Sequence, residues 1–348
     1  MQLNFGQLLY NLFNLGVTNV KQRPAETTDL STPTSIRLPP NVRRFYEAQA
    51  EAMGGISFQA TITMALTGLA EISMAGDPYD DPKHALKTIR DRFFLVFKES
   101  RVDLVDIPSI LHDFGFTLSA LTDSGRLEDL LRPRLIDFVA AEFGVNAEWL
   151  KGKSDTVSDS KLNWYKAVTS AILRLSAIAK TGATITVYFV RRAGADFAAA
   201  LASNDDHEDR EPVGIVVRID RKTADRVSYT TFEKWEFDRW NYWRTRQQYK
   251  LLMTFCDQAS HQRRFSCAGI QIDAHVFDQL RDGKCLPATA MSNRSSSSMW
   301  HPEDYASLRA DPKRWVTKEI DDFDKNVLPE YQRMDYDQYL AAEYWYPS

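Results

Sequence analysis

A five-residue alternation, Thr34-Ser35-Ile36-Arg37-Leu38, runs straight into Pro39-Pro40, and this junction limits what the N-terminal part of the chain can become. A period of two is that of a strand with unlike faces, so Ile36 and Leu38 share an apolar side while Ser35 and Arg37 share a polar, basic one. The prolines stop the strand and suit a first helical turn, where a missing N–H costs little. Val42, Phe45, Tyr46, Ala52 and Met53 then form a helical stripe. Gly54-Gly55 breaks that helix, and Ser57 is placed to cap a second one, whose stripe is Ile62, Ala65, Leu66, Leu69 and Ile72. One short strand and two helices bury too little apolar surface to stand alone, and the strand has two open edges. A homodimer with antiparallel pairing of the two strands is therefore expected, with Ser35 and Arg37 on an exposed ribbon that fits the major groove of double-stranded DNA.

The strand alternation, the Leu-Pro-Pro junction and the Gly-Ile-Ser turn at 55–57 resemble the ribbon-helix-helix family over residues 34–72. The resemblance implies a dimerisation and DNA-binding unit at 31–76, with Pro33, Ser35 and Arg37 at the base-facing strand positions. It also implies that Ser57 and its neighbour Phe58, at the start of the second helix, clamp a phosphate. Pro33 departs from the family, which more often carries a basic or polar residue there. From 31 to 46 the charged residues are Arg37, Arg43 and Arg44, with no acid before Glu47, which is the local footprint that phosphate contacts need.

The whole chain offers no such footprint, since its net charge is −4. Three cysteines, Cys256, Cys267 and Cys285, are an odd number and suit reduced thiols in a cytoplasmic protein. CxxC and HExxH motifs are absent and the histidines are scattered, so no metal is expected. GxSxG, P-loop and Rossmann glycine motifs are absent too, so neither a cofactor nor enzymatic activity is expected. Leu3, Phe5, Leu8, Leu9, Leu12 and Phe13 predict an N-terminal amphipathic helix, followed by a polar linker at 22–32; together they make up segment 1–30 and lead into the ribbon unit. No apolar run reaches the roughly 20 residues of a membrane span.

Residues 77–153 read as an all-α domain, with helices at 84–100, 107–114, 117–123, 133–143 and 146–151 and glycines at the breaks. The stretch from Asp106 to Leu121, with the closing Phe143-Gly144-Val145 and Trp149-Leu150-Lys151-Gly152, is similar to the helix-turn-helix domain of lambda-repressor-like regulators. That similarity makes Thr117 to Thr122 the recognition helix. The helix carries no basic residue, and residues 77–153 hold 11 bases against 14 acids, so the fold is expected without the DNA contact.

A Ser/Asp-rich stretch at 154–160 reads as a linker into an α+β domain spanning 154–300. Ile185–Arg191, Gly214–Asp220, Val227–Tyr229 and Phe265–Asp273 are strand-like and Ala274–Arg281 helical, predicting helices layered on an antiparallel sheet. The acidic run 204–209 lacks the spacing of a calcium loop and reads as surface. Phe232, Trp235, Arg239, Trp243 and Arg246 follow helical spacing and predict a core stripe with snorkelling arginines. After a serine run at 295–298, residues 301–348 form an acidic segment rich in aromatics. This segment is expected to dock either on its own protein or on a partner such as RNA polymerase or another regulator.

The sequence thus predicts an α+β chain, mostly α in its N-terminal half, that acts as a sequence-specific DNA-binding transcriptional regulator, leaning to activator. The combination resembles large plasmid-borne regulators of conjugative transfer genes. Two other readings stay open: an accessory protein of a plasmid DNA-processing complex (relaxosome or partition), and a ligand-sensing module with secondary DNA binding.

Overall fold

A computed structural model describes residues 37–52, 55, 57–74, 82–164, 167–202, 210–292, 299–302, 305 and 317–346. The chain is a mixed α+β protein that divides into two compact units, Met1–Ala85 and Leu86–Ser348. The segments expected as an N-terminal amphipathic helix, a linker at 22–32, an acidic loop at 204–209 and a serine link at 295–298 lie outside the described residues.

The first unit contains two helices, α1 (Pro40–Ala52) and α2 (Phe58–Met74), packed on one another. Pro40 opens α1, where its fixed φ is already helical. At the other end Gly55 takes a φ of +80° and donates to the carbonyl of Ala50 at 3.0 Å, closing α1 with a left-handed turn that glycine enters at no steric cost. Ser57 then accepts from the N–H of Ala60 through its Oγ at 3.1 Å, capping α2 as its position predicts.

The second unit begins in α3 (Pro82–Glu99). Short helices follow: α4 (Ile107–Ile110), α5 (Leu118–Thr122), α6 (Ser124–Leu130), α7 (Pro133–Phe143) and α8 (Ala147–Leu150). Helix α6 is absent from the sequence expectation, because Ser124-Gly125 reads as a break. The Asp123 carboxylate overrides it by accepting from the N–H groups of Gly125 and Arg126 at 3.0 and 3.2 Å. Phe93, Phe97, Leu111, Val139, Phe143 and Leu150 form the core of this helical layer.

The sheet has the order β3-β2-β1-β4-β5, built from β1 (Thr184–Arg192), β2 (Pro212–Lys222), β3 (Ser228–Arg239), β4 (Ser266–Ile272) and the short β5 (Met299–Trp300). It is mixed, which corrects the antiparallel expectation: β4 runs parallel to β1. The 19-residue helix α11 (Trp243–His261) carries the chain back across the sheet, so the next strand enters in the direction of the first. Helix α9 (Val168–Ala179) and α11 cover one face, on which Ile185, Val187, Phe189, Val217 and Ile219 lie in the main core. Helix α10 (Phe197–Ala202) brings Phe197 into the same core. On the opposite face α12 (Ala274–Arg281) and α13 (Pro287–Ser292) cover Val190, Val216 and Ile270.

Two further expectations change. The stripe is helical only at its end, where Trp243 and Arg246 lie in α11: β3 runs through Arg239, placing Trp235 in the main core while Phe232 and Phe237 pack on the other face. Both faces of β3 are covered, so its aromatics need not alternate, and cross-strand pairing with β2 overrides the helical spacing. Nor is 154–160 a free linker. Val157 donates to Gly283 O at 2.7 Å, and Ser158, 1% exposed, donates through Oγ to Cys285 O at 3.1 Å. Gly144 closes the same junction, since a Cβ on it would stand 2.1 Å from Phe232 O.

The aromatic C-terminal segment docks on its own protein. Short helices α14 (Thr317–Asp322), α15 (Leu328–Arg333), α16 (Asp337–Leu340) and α17 (Ala342–Trp345) place Phe323, Val327, Tyr336, Leu340 and Trp345 in the main core.

Candidate nucleic-acid interface

Of the residues expected to meet DNA, Pro33 and Ser35 lie outside the described residues. Of the expected strand 34–38, residues 34–36 lie outside the described residues, and Arg37, exposed, and Leu38 are in neither strand nor helix, three and two residues ahead of Pro40, where α1 opens. Arg43 and Arg44 are exposed on α1. Arg43 donates to Glu47 at 2.9 Å, and its guanidinium stands 5.7 Å from the centre of the Phe58 ring, so it bridges α1 to the start of α2. Arg44 Nε reaches Pro40 O at 3.5 Å. Phe58 is half-buried and Ser57 exposed. The structure therefore brings Arg43, Ser57 and Phe58 together at one end of the helix pair.

Such an end suits an anion chemically. The first N–H groups of a helix have no intrahelical acceptor, and Ser57 Oγ engages that of Ala60, leaving the earlier first-turn groups of α2 directed along the helix axis. The apolar stripe beside it is less covered than its composition demands: Phe45 is 57% exposed, Met64 56% and Leu66 45%. Ala50 and Thr61 are buried where α1 meets α2.

The helix read as a recognition helix presents a different surface. Thr117, Ser119 and Thr122 are exposed on or beside α5, yet their hydroxyls bond locally: Thr117 to Ser119 at 3.0 Å, and Thr122 to Ser119 O at 3.1 Å. Leu118 at 54%, Leu104 at 61% and Val105 at 67% exposure make the neighbourhood apolar. Arg126 also reaches this surface, donating through Nη1 to Ser119 Oγ at 3.4 Å.

Sequence reasoning missed a second concavity, on the α12 face of the sheet. Rows of facing residues run across it, Phe232–Arg218–Thr186–Ser266 among them, and α12 and α13 leave one end uncovered. The resulting cleft is about 840 Å³. Its sequence signal was the polar alternation Thr184, Thr186, Tyr188 on β1 and Arg218, Asp220 on β2, which marks one strand face without saying what stands over it.

Burial pushes the Cys256 thiol well above its ordinary range and that of Cys285 up to about 11. Among the described residues, no group of three or more His, Cys, Asp and Glu could hold a metal, and no helix is long and apolar enough to cross a membrane. No family model, curated protein or solved structure matches the chain.

Proposed function

We propose that this chain is a sequence-specific DNA-binding regulator, dimeric through its first unit, in which residues 31–76 read DNA and the second unit supplies the regulatory surface. One observation carries the reading: two helices with a Ser57-capped junction follow Arg37, and they leave Phe45, Met64 and Leu66 exposed. Isolated exposed apolar residues are ordinary, but three of them on a two-helix unit this small are what an intertwined second copy covers. The clustered Arg43, Ser57 and Phe58 then meet the DNA backbone, and the strand residues ahead of α1 meet base edges. The second unit, with its neutralised hydroxyls and apolar α5 surface, contributes no base contact in this scheme.

A fragment ending at Ala85, where the first compact unit ends, tests the proposal. It should be dimeric by light scattering and protect the same DNA site as the intact chain. Its affinity should fall steeply with salt, since few phosphate contacts dominate it. Reporter output should not be restored in a deletion strain. A monomeric fragment, or one that replaces the whole protein, overturns the division of labour.

A further inference from the structure

From the cleft on the α12 face we infer that the second unit is a binding site for a small organic acid, a single carboxylate on an apolar body. The inference stands apart from the DNA reading, since every residue in it belongs to the second unit.

Arg218 is the recognition group. Its Nε and Nη2 both lie on Asp220 Oδ1, at 3.0 and 2.9 Å, and Thr230 Oγ1 donates to the same oxygen at 2.6 Å. Tyr188 stands with Arg218 in the lining of the same cleft. A guanidinium carries five N–H donors, so this fixed one keeps donors in hand while its orientation is already settled. Its side chain is 40% exposed, and the exposure is into the cleft. A planar fork held in this way is matched by a carboxylate, at little further cost in side-chain order.

The rest of the cleft says what the carboxylate is attached to. Phe232, Ala268, Ile270, Ala288, Met291 and Met299 give it an apolar floor and wall. Thr289 Oγ1 donates to Glu99 Oε2 at 2.7 Å, tying α13 to the end of α3 beside the cleft that both line. A volume of about 840 Å³ lies in the usual range of ligand pockets, roughly 300 to 1,000 Å³.

Charge restricts the class further. Arg101 and Arg218 line the cleft with Glu99, and Asp220 stands behind Arg218, so the ionic groups sum to zero. No positive field gathers a polyanion here, which disfavours a nucleic-acid strand and leaves one anionic group recognised by geometry.

The test uses the full chain and three probes: octanoate, octan-1-ol as its uncharged counterpart, and 2-aminooctanoate as its zwitterion, each followed by saturation-transfer NMR and calorimetry. Octanoate should bind saturably and at least tenfold more tightly than octan-1-ol. Arg218→Met should abolish that preference. Because this change also frees Asp220, Ser266→Trp gives a second reading: Ser266 is exposed at the start of β4, and an indole there fills the cleft, so octanoate binding should fall at least tenfold in a folded protein. Tighter binding of 2-aminooctanoate than octanoate supports the site and narrows its ligand to an amino acid. Equal binding of octanoate and octan-1-ol overturns the inference. So does the absence of saturable binding by any probe, or octanoate affinity unchanged in Ser266→Trp. None of these outcomes bears on whether the first unit binds DNA.

Discussion

Lys250 on α11 and Glu319 on α14 form an ion pair in which both side chains are 0% exposed, and Asp322 lies 2.8 Å from the same ammonium. Around them Arg246 Nε reaches Asp322 at 3.3 Å and Trp240 Nε1 donates to Glu319 Oε1 at 3.1 Å. The C-terminal segment is thus fastened by charge as well as by its aromatics. Such a pair adds little net stability over an apolar replacement, but losing one partner strands a buried charge.

Glu319→Ala should therefore destabilise the second unit by about 3 to 5 kcal/mol, the range for breaking a buried pair. Lys250→Met combined with Glu319→Leu should cost less than the single change. Urea denaturation of the three proteins checks this; a double variant less stable than Glu319→Ala would contradict it.

Acid should loosen the same contact. Burial pushes the Asp322 carboxyl up, but the Lys250 charge and hydrogen bond, with Arg246, outweigh it and hold the group below its ordinary 3.8. A depressed folded value means that its contribution is fully present above pH 3.8 and is lost as pH falls below it. Asp322→Asn should remove that part of the acid dependence of stability, measured by thermal unfolding from pH 6 down to about pH 3.

Trp149→Ala should cost about 3 to 5 kcal/mol, as emptying a buried aromatic site does. Trp149 is 6% exposed, and the Arg92 guanidinium sits 5.2 Å from the centre of its ring while donating to the Trp149 carbonyl. Alanine at Thr117, Ser119 and Thr122 together should leave DNA affinity within about twofold, since single uncharged surface groups carry little phosphate energy. A tenfold loss in a mobility-shift assay would mean that α5 reads DNA.

Arg37→Ala should weaken specific DNA binding by about 1 to 3 kcal/mol, the worth of one bidentate base contact, with the dimer intact. Ser57→Ala should cost the helix pair about 1 kcal/mol through loss of the cap. Operator titration at fixed salt with circular dichroism separates the two effects. Unchanged affinity and specificity in Arg37→Ala would remove the ribbon from the proposal.

Gly144→Ala should prevent the helical layer from seating on β3. Its φ is +69°, and the added Cβ would meet the carbonyl oxygen of Phe232, a backbone atom that cannot rotate away. Loss of the cooperative unfolding transition is the expected result. A variant of near-native stability would show that β3 yields at this point.

Local signals carried the helix pair. Pro40 and Ser57 mark helix starts through backbone chemistry that acts within four residues, and both positions hold in the structure. The same reasoning placed Ala274–Arg281 in a helix. It failed where local patterns were ambiguous. Phe232, Trp235 and Arg239 follow helical spacing, and pairing with β2 made them a strand. It also failed at Asp123, whose side chain starts a helix across a glycine.

What the sequence by itself determined was therefore whatever rests on near neighbours: proline and serine at helix starts, glycine at helix ends, and the alternation of strand faces. The tertiary structure alone decided that β4 lies parallel to β1, that Lys250 meets Glu319, and that Arg218 faces an open cleft. The reason is separation along the chain. Hydrogen bonds within a helical turn are specified by a few adjacent residues, whereas the partner of Lys250 stands 69 positions away and is chosen by the packing of every element between them.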